Sequence, residues 1–319
     1  MSTHSDVLRA ADRIRTHVRR TPTEASPALG SVGDCRVHLK LECQQLTGSF
    51  KLRGAFNKLL SMDEERRSRG VVSASTGNHG FGIAYAASKL GCPARIFVPE
   101  NADAGKLERI VELGASIQYA GDDCAISELA GREFAEREGL EYVSPYNDPA
   151  VMAGQGTIGL ELDQDVPNLD AVIVSVGGGG LAGGIAGYFA GVGRDVEVIG
   201  ASPRNSCAMH ASFEANRIVD VEHLPTLSDG TAGGIEAGSI TYEACRSTMK
   251  EIVLVDEDEI ARGMRDVLSI HHALIEGAAG TAVAAYRAIA ERFQGKDVAI
   301  LLCGANVSPK VLADVLSRS

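Results

Sequence analysis

Two stretches of the chain combine residue types that can do chemistry. In Leu46–Gly54, LTGSFKLRG, a lysine at position 51 closes a polar, glycine-containing turn, and a helical pattern of Leu52, Ala55, Phe56, Leu59 and Leu60 begins directly after it. An amine so placed can face a cleft. If burial lowers the cost of deprotonating it, it can condense with an aldehyde as a Schiff base. In Gly177–Leu181, GGGGL, four glycines follow the apolar run AVIVSV and open a helix. Without side chains, successive N–H groups and the helix dipole can cradle a phosphate. A tight turn that needs positive φ accounts for one or two glycines, not four.

Gly178, Gly180 and Gly183 also spell the G-x-G-x-x-G of a dinucleotide site. That site wants an acid about twenty residues on, at the end of the next strand. Ile199, Gly200, Ala201 and Ser202 stand there instead, which argues against a dehydrogenase. A third anion-binding joint is ASTGNHG, Ala74–Gly80, a turn between a short apolar strand and a helix.

These segments need a scaffold of alternating strands and helices. Apolar runs at Val37–Glu42, Val71–Ser73, Arg95–Val98, Ser116–Ala120, Tyr142–Ser144, Ala171–Val176, Glu197–Ala201, Ile252–Val255 and Val298–Leu302 read as strands. Helical patterns lie between most of them, so the expected fold class is α/β with largely parallel sheets. An opening helix from Ser5 to about Arg20 is expected, the charged run Asp63–Gly70 reads as solvated surface, and Asp256 with Glu259 marks a helix start. The division expected is a smaller α/β domain over 70–147 and a larger one over 1–69 with 148–319.

Composition narrows the partners. A net charge of -11 lacks the clustered positive charge that nucleic acid requires. No apolar run approaches the roughly 18 residues of a membrane span, and the first twenty residues are charged and amphipathic, so a cytoplasmic protein with a small-molecule partner is expected. Seven scattered cysteines without C-x-x-C spacing fit reduced thiols and no zinc site.

SFKLRG at the lysine, STGNHG, GQGTI at Gly154–Ile158, GGGGL and CGAN at Cys303–Asn306 occur in one order along most of the chain. Together they resemble the pyridoxal-phosphate enzymes that share a fold with the tryptophan synthase β subunit (fold type II), in the threonine dehydratase and serine racemase group. The resemblance implies two α/β domains with pyridoxal 5'-phosphate in the cleft between them, in a homodimer. It implies that Lys51 carries the cofactor as a Schiff base, that Phe50 lies against the ring, and that Asn78 meets the ring hydroxyl. Gly177, Gly178, Gly179, Gly180 and Leu181 would hold the phosphate, Gly230 and Glu276 would line the ring edge, and Cys303 would face the pyridine nitrogen. Ser75, Thr76, Asn78 and His79 would surround the carboxylate of an amino-acid substrate.

A neutral partner at the ring nitrogen weakens the electron sink and favours prompt loss of a leaving group. The implied reaction is therefore β-elimination from threonine or serine to a 2-oxo acid and ammonia, with Lys51 taking the Cα proton and the cofactor phosphate protonating the departing hydroxyl. Thr76 stands where serine racemases carry a serine, which makes racemisation doubtful. Ser202, Ser206 and Ala208 replace the acids of relatives with a divalent-cation site, so no metal is expected. SDGTAGGIEAGSITYEAC, Ser228–Cys245, resembles dehydratases of hydroxyectoine breakdown. Hydroxyectoine-type compounds and 3-hydroxyaspartate thus stand as alternative substrates, and a non-catalytic cofactor-binding regulator as an alternative class. No feedback domain is expected after the catalytic length.

Overall fold

The computed structural model describes residues 4–318. Its strands are, in chain order, β1 Thr23–Ala25, β2 Arg36–Lys40, β3 Val71–Ala74, β4 Ala94–Val98, β5 Ser116–Tyr119, β6 Glu141–Tyr142, β7 Leu169–Ser175, β8 Glu197–Pro203, β9 Glu251–Val255 and β10 Asp297–Leu301. They form a six-stranded sheet, β1-β2-β10-β7-β8-β9, and a four-stranded sheet, β5-β4-β3-β6. Only β1 and β2 pair antiparallel. Parallel neighbours need crossovers, which the intervening helices supply. The α/β class expected from the alternation is the one that forms.

The two central strands β7 and β10 are almost wholly buried, as continuous apolar runs predict for strands covered on both faces. β2 departs from simple alternation, because Lys40 is buried beside Val37 and Leu39. Its Nζ lies 2.7 Å from a Glu161 oxygen and donates to Thr21 O at 2.8 Å, so the charge is compensated where it is buried.

The helix Lys51–Ser61 joins the two sheets. Leu52, Ala55, Phe56 and Leu59 share an apolar cluster with Ile83, Ile96 and Ile110 of the four-stranded side. The turn before the helix is sewn to the other sheet. Ser49 bridges Gly304, Phe50 N donates to Cys303 O at 3.1 Å, and Ala305 N donates to Gly48 O at 2.9 Å. Gly48, at φ 71°, supplies the left-handed residue this turn requires. The helix Pro149–Asp165 lies against the lysine helix backbone to backbone: a Cβ on Gly154 would come within 2.6 Å of Arg53 O, which explains its glycine.

The first helix spans His4–Ile14 rather than reaching Arg20, since the chain turns as His17 N and Val18 N fold back onto Ile14 O. Glu64–Arg69, expected only as a solvated run, is a short helix capped by Asp63 that buries no residue. Pro27–Gly33 and Ala208–Ala215 are also helical, too brief to show a repeated apolar period. Among the described residues no helix is long and apolar enough to cross a membrane.

Candidate active site

Lys51 is the first residue of its helix, and its amine donates to Pro145 O at 2.8 Å. The Phe50 ring lies 5.2 Å from Nζ. Burial lowers the amine from its usual 10.5 to about 8, outweighing the opposing pull of Cys303 and Glu276. A carbonyl is a partner that an uncharged amine can also keep. The lysine is thus held in place without being fixed in its charged form.

One residue beyond that carbonyl, Tyr146 packs on the glycine loop. A Cβ on Gly178 would come within 2.4 Å of its ring, one on Gly180 within 2.9 Å of its Cα, and one on Gly177 within 2.7 Å of Thr231 O. Gly179 has φ 85° and serves as N-cap of the helix Gly180–Val192, with no side chain bonding the first turn. Close approach and positive φ therefore both demand glycine. The resulting bend offers main-chain N–H groups to an anion. Lysine and glycine bend, over a hundred residues apart in sequence, meet across Pro145–Tyr146.

Beyond β3, Ser75, Thr76, Gly77 and Asn78 are half-buried, and the helix Asn78–Leu90 also starts without a side-chain cap. A Cβ on Gly77 would touch nothing within 4 Å, so there is open room at this second helix start. Asn78 Nδ2 donates to both Glu276 carboxyl oxygens at 2.9 and 3.0 Å. Asn306 completes the network: its Nδ2 donates to Asn78 Oδ1 at 2.6 Å and Thr47 O at 2.9 Å, and its main-chain N to Glu276 Oε2 at 3.1 Å. Burial pushes the Glu276 carboxyl up to about 7 against the hydrogen bonds from Asn78. Gly230 lies beside Glu276, with 3.6 Å between Oε1 and the place of a Cβ.

His79 is turned inward. Its Nε2 is 3.1 Å from Val143 O, Nδ1 has no partner, and burial together with Lys51 drives the ring down to about 3, leaving it neutral. The Cys303 thiol is buried beyond β10 and accepts from Ser175 Oγ at 3.4 Å. Burial raises its pKa, so it too stays neutral.

The structure thus brings Phe50, Lys51, Asn78, Gly230, Glu276, Cys303 and the glycine bend together, with the half-buried Ser75 and Thr76 just ahead of Asn78. Sequence reasoning passed over Pro145, Tyr146, Ser175 and Asn306. SPYND, residues 144–148, carried a signal: it lies just past the carboxyl end of a parallel strand, where open α/β sheets bind ligands. These donors fit a group with an aldehyde, a phosphate and a ring nitrogen. A poorly paired amine, a bend too close to protein for any Cβ, and a neutral thiol are each available for one of these functions.

Comparison with known proteins agrees. Residues 14–304 match the family model described as pyridoxal-phosphate dependent enzyme. The chain is 38% identical over 318 residues to an L-threonine ammonia-lyase of Thermotoga maritima, covering all of this chain and 79% of the relative. Among solved structures it is similar to threonine deaminase isoform 2 from Solanum lycopersicum, with TM-score 0.91, 30% identity and coverage of 98% and 90% of the two chains. It is also similar to serine racemase from Dictyostelium discoideum, with TM-score 0.89, 32% identity and coverage of 96% and 99%.

Proposed function

The chain belongs to the family of pyridoxal-phosphate dependent enzymes, and from that premise we propose that it is an ammonia-lyase that eliminates the β-hydroxyl of L-threonine or L-serine, giving a 2-oxo acid and ammonia. The observation that carries this reading is the lowered Lys51 amine on the Pro145 carbonyl, whose neighbour Tyr146 packs on the glycine bend.

Bound pyridoxal phosphate supplies an electron sink for the carbon next to a substrate amine. Lys51 would hold its aldehyde, Gly177–Leu181 its phosphate, and Cys303 would face its nitrogen. Asn78 would meet the ring hydroxyl, with Phe50, Gly230 and Glu276 around the ring. The substrate carboxylate would rest at the start of the helix Asn78–Leu90, on Ser75, Thr76 and Asn78. His79 would contribute its main-chain N–H there, since its ring is engaged with Val143 O.

The Lys51 amine is the base for the Cα proton. With a pKa of about 8, roughly a tenth of it is neutral at pH 7, against less than about a thousandth at 10.5. A neutral Cys303 would not hold a full proton on the ring nitrogen, which would favour prompt loss of the β-hydroxyl over a long-lived carbanion. The enamine so released hydrolyses in water. We take residues 70–147 as a smaller domain closing on the rest, and the protein as a cytoplasmic homodimer.

A side-by-side assay of L-threonine, L-serine, 3-hydroxyaspartate and hydroxyectoine tests the assignment. 2-Oxo acid and ammonia from the first two are expected, and turnover confined to either of the last two would displace it. Racemisation is the second reading, favoured by the likeness to serine racemase. Thr76 offers a hydroxyl for it, and rapid formation of D-serine from L-serine would establish it.

A further inference from the structure

Residues 232–239, AGGIEAGS, are an irregular strap that runs from beside Tyr146 to the helix carrying Arg132. Gly233 and Gly238 have φ of 122° and 72°, and a Cβ on either would meet nothing within 4 Å. Ile235 between them is anchored in the main apolar core, and specific bonds hold the rest of the segment. Gly233 N donates to Ser206 Oγ at 3.1 Å, Glu236 N to Tyr146 Oη at 3.1 Å, and Ile240 N to Asn147 Oδ1 at 2.9 Å.

The Glu236 carboxylate reaches the other sheet. Its Oε2 is 2.7 Å from Arg132, on the helix Cys124–Glu138 that crosses between β5 and β6. Arg132 is itself set by Glu128 at 2.7 Å and by the Tyr142 ring 4.5 Å away. The joint is incompletely satisfied: Glu236 Oε1 and the Tyr142 hydroxyl are buried without partners. Buried polar atoms left unpaired make such a joint easier to open than a fully bonded one. Tyr146 also packs on the glycine bend, at Gly178 and Gly180.

We propose that Tyr146 is a positioning residue of the reaction: its ring backs the glycine bend, and its hydroxyl holds the Glu236 main chain so that the carboxylate can clasp Arg132 and close the strap over the cleft. This rests on the reading of the bend as the phosphate cradle. The clasp couples the cradle, the strap and the four-stranded side, and its loss loosens closure without removing the lysine or the cradle glycines.

The test is amide hydrogen exchange of residues 233–238 in the holoenzyme, with KM and kcat, for the wild type, Tyr146→Phe, Arg132→Gln and the double variant. Each single change is expected to speed exchange about tenfold and raise KM about tenfold, with kcat within about threefold and the visible cofactor band retained. The double variant should fall well short of the hundredfold that independent effects would give. Wild-type exchange in Tyr146→Phe, multiplied effects in the double variant, or loss of the cofactor band in Tyr146→Phe would each overturn the clasp. Failure of the cradle reading has a separate signature, a wild-type protein that takes up no cofactor.

Discussion

Lys51 and Arg53 stand two residues apart on one helix, the first half-buried and the second fully buried, and they have been given opposite surroundings. Arg53 is held by two carboxylates: Nε and Nη2 donate to Glu42 at 2.9 and 2.8 Å, while Nη1 and Nη2 donate to Glu161 at 2.6 and 2.9 Å. Burial works against its charge, but Glu42 and Glu161 more than offset it and raise its pKa. Lys51 has a carbonyl and a ring face, with the carboxyl of Glu276 acting on it only from a distance. A buried cation given full counter-charge is fixed as a structural joint, whereas one denied it is free to lose its proton. The helix carries a rivet and a reagent side by side.

The widest separation between the two should appear in turnover. Lys51→Ala is expected to lower kcat by about 10³-fold or more, the scale of removing a catalytic base and its covalent tether, with the visible band gone. Its stability to denaturant should not fall, because a charge that was costly to bury has been removed. Arg53→Met should do the reverse to stability. It strands Glu42 and Glu161, a loss on the order of 3–5 kcal/mol in urea unfolding, while whatever folds keeps its cofactor band.

Glu276 gives a finer distinction. Its folded pKa of about 7 exceeds the ordinary 4.5, so the folded state holds the proton more tightly. Its contribution is full below about 4.5 and is lost as pH rises through about 7, at most about 3 kcal/mol. Glu276→Gln should flatten stability between pH 5 and 7.5 and abolish any inflection of kcat/KM near pH 7. The smallest effect is expected of Cys303→Ser, which keeps a neutral group in place: kcat should change by less than about tenfold, measured with L-threonine.

Much of this was legible in the sequence because it was local. Strand–turn–helix joints at Lys51, at Ser75–Asn78 and at the four glycines each advertise themselves in a few consecutive residues. The strands β7 and β10 declare their central position by having no polar face. What the sequence hid was long-range pairing. Nothing near Arg53 marks it as the partner of Glu42 and Glu161, and SPYND reads as a plain turn until Pro145 meets Lys51 and Tyr146 meets Gly178. The roles of Asn306 and Ser175 depend on which strand ends lie side by side, and that is set by sheet order. The direction of the His79 ring depends on Val143, which follows β6, three strands on in sequence.

The proposed chemistry turns on which amine joins the cofactor. Reducing the holoenzyme with borohydride, digesting it and locating the modified lysine by mass spectrometry would read this directly. A phosphopyridoxyl group on Lys51, with Lys40, Lys58 and Lys106 unmodified, is the expected result. The same group on another lysine, or an unmodified Lys51 in protein that turns substrate over, would contradict the account.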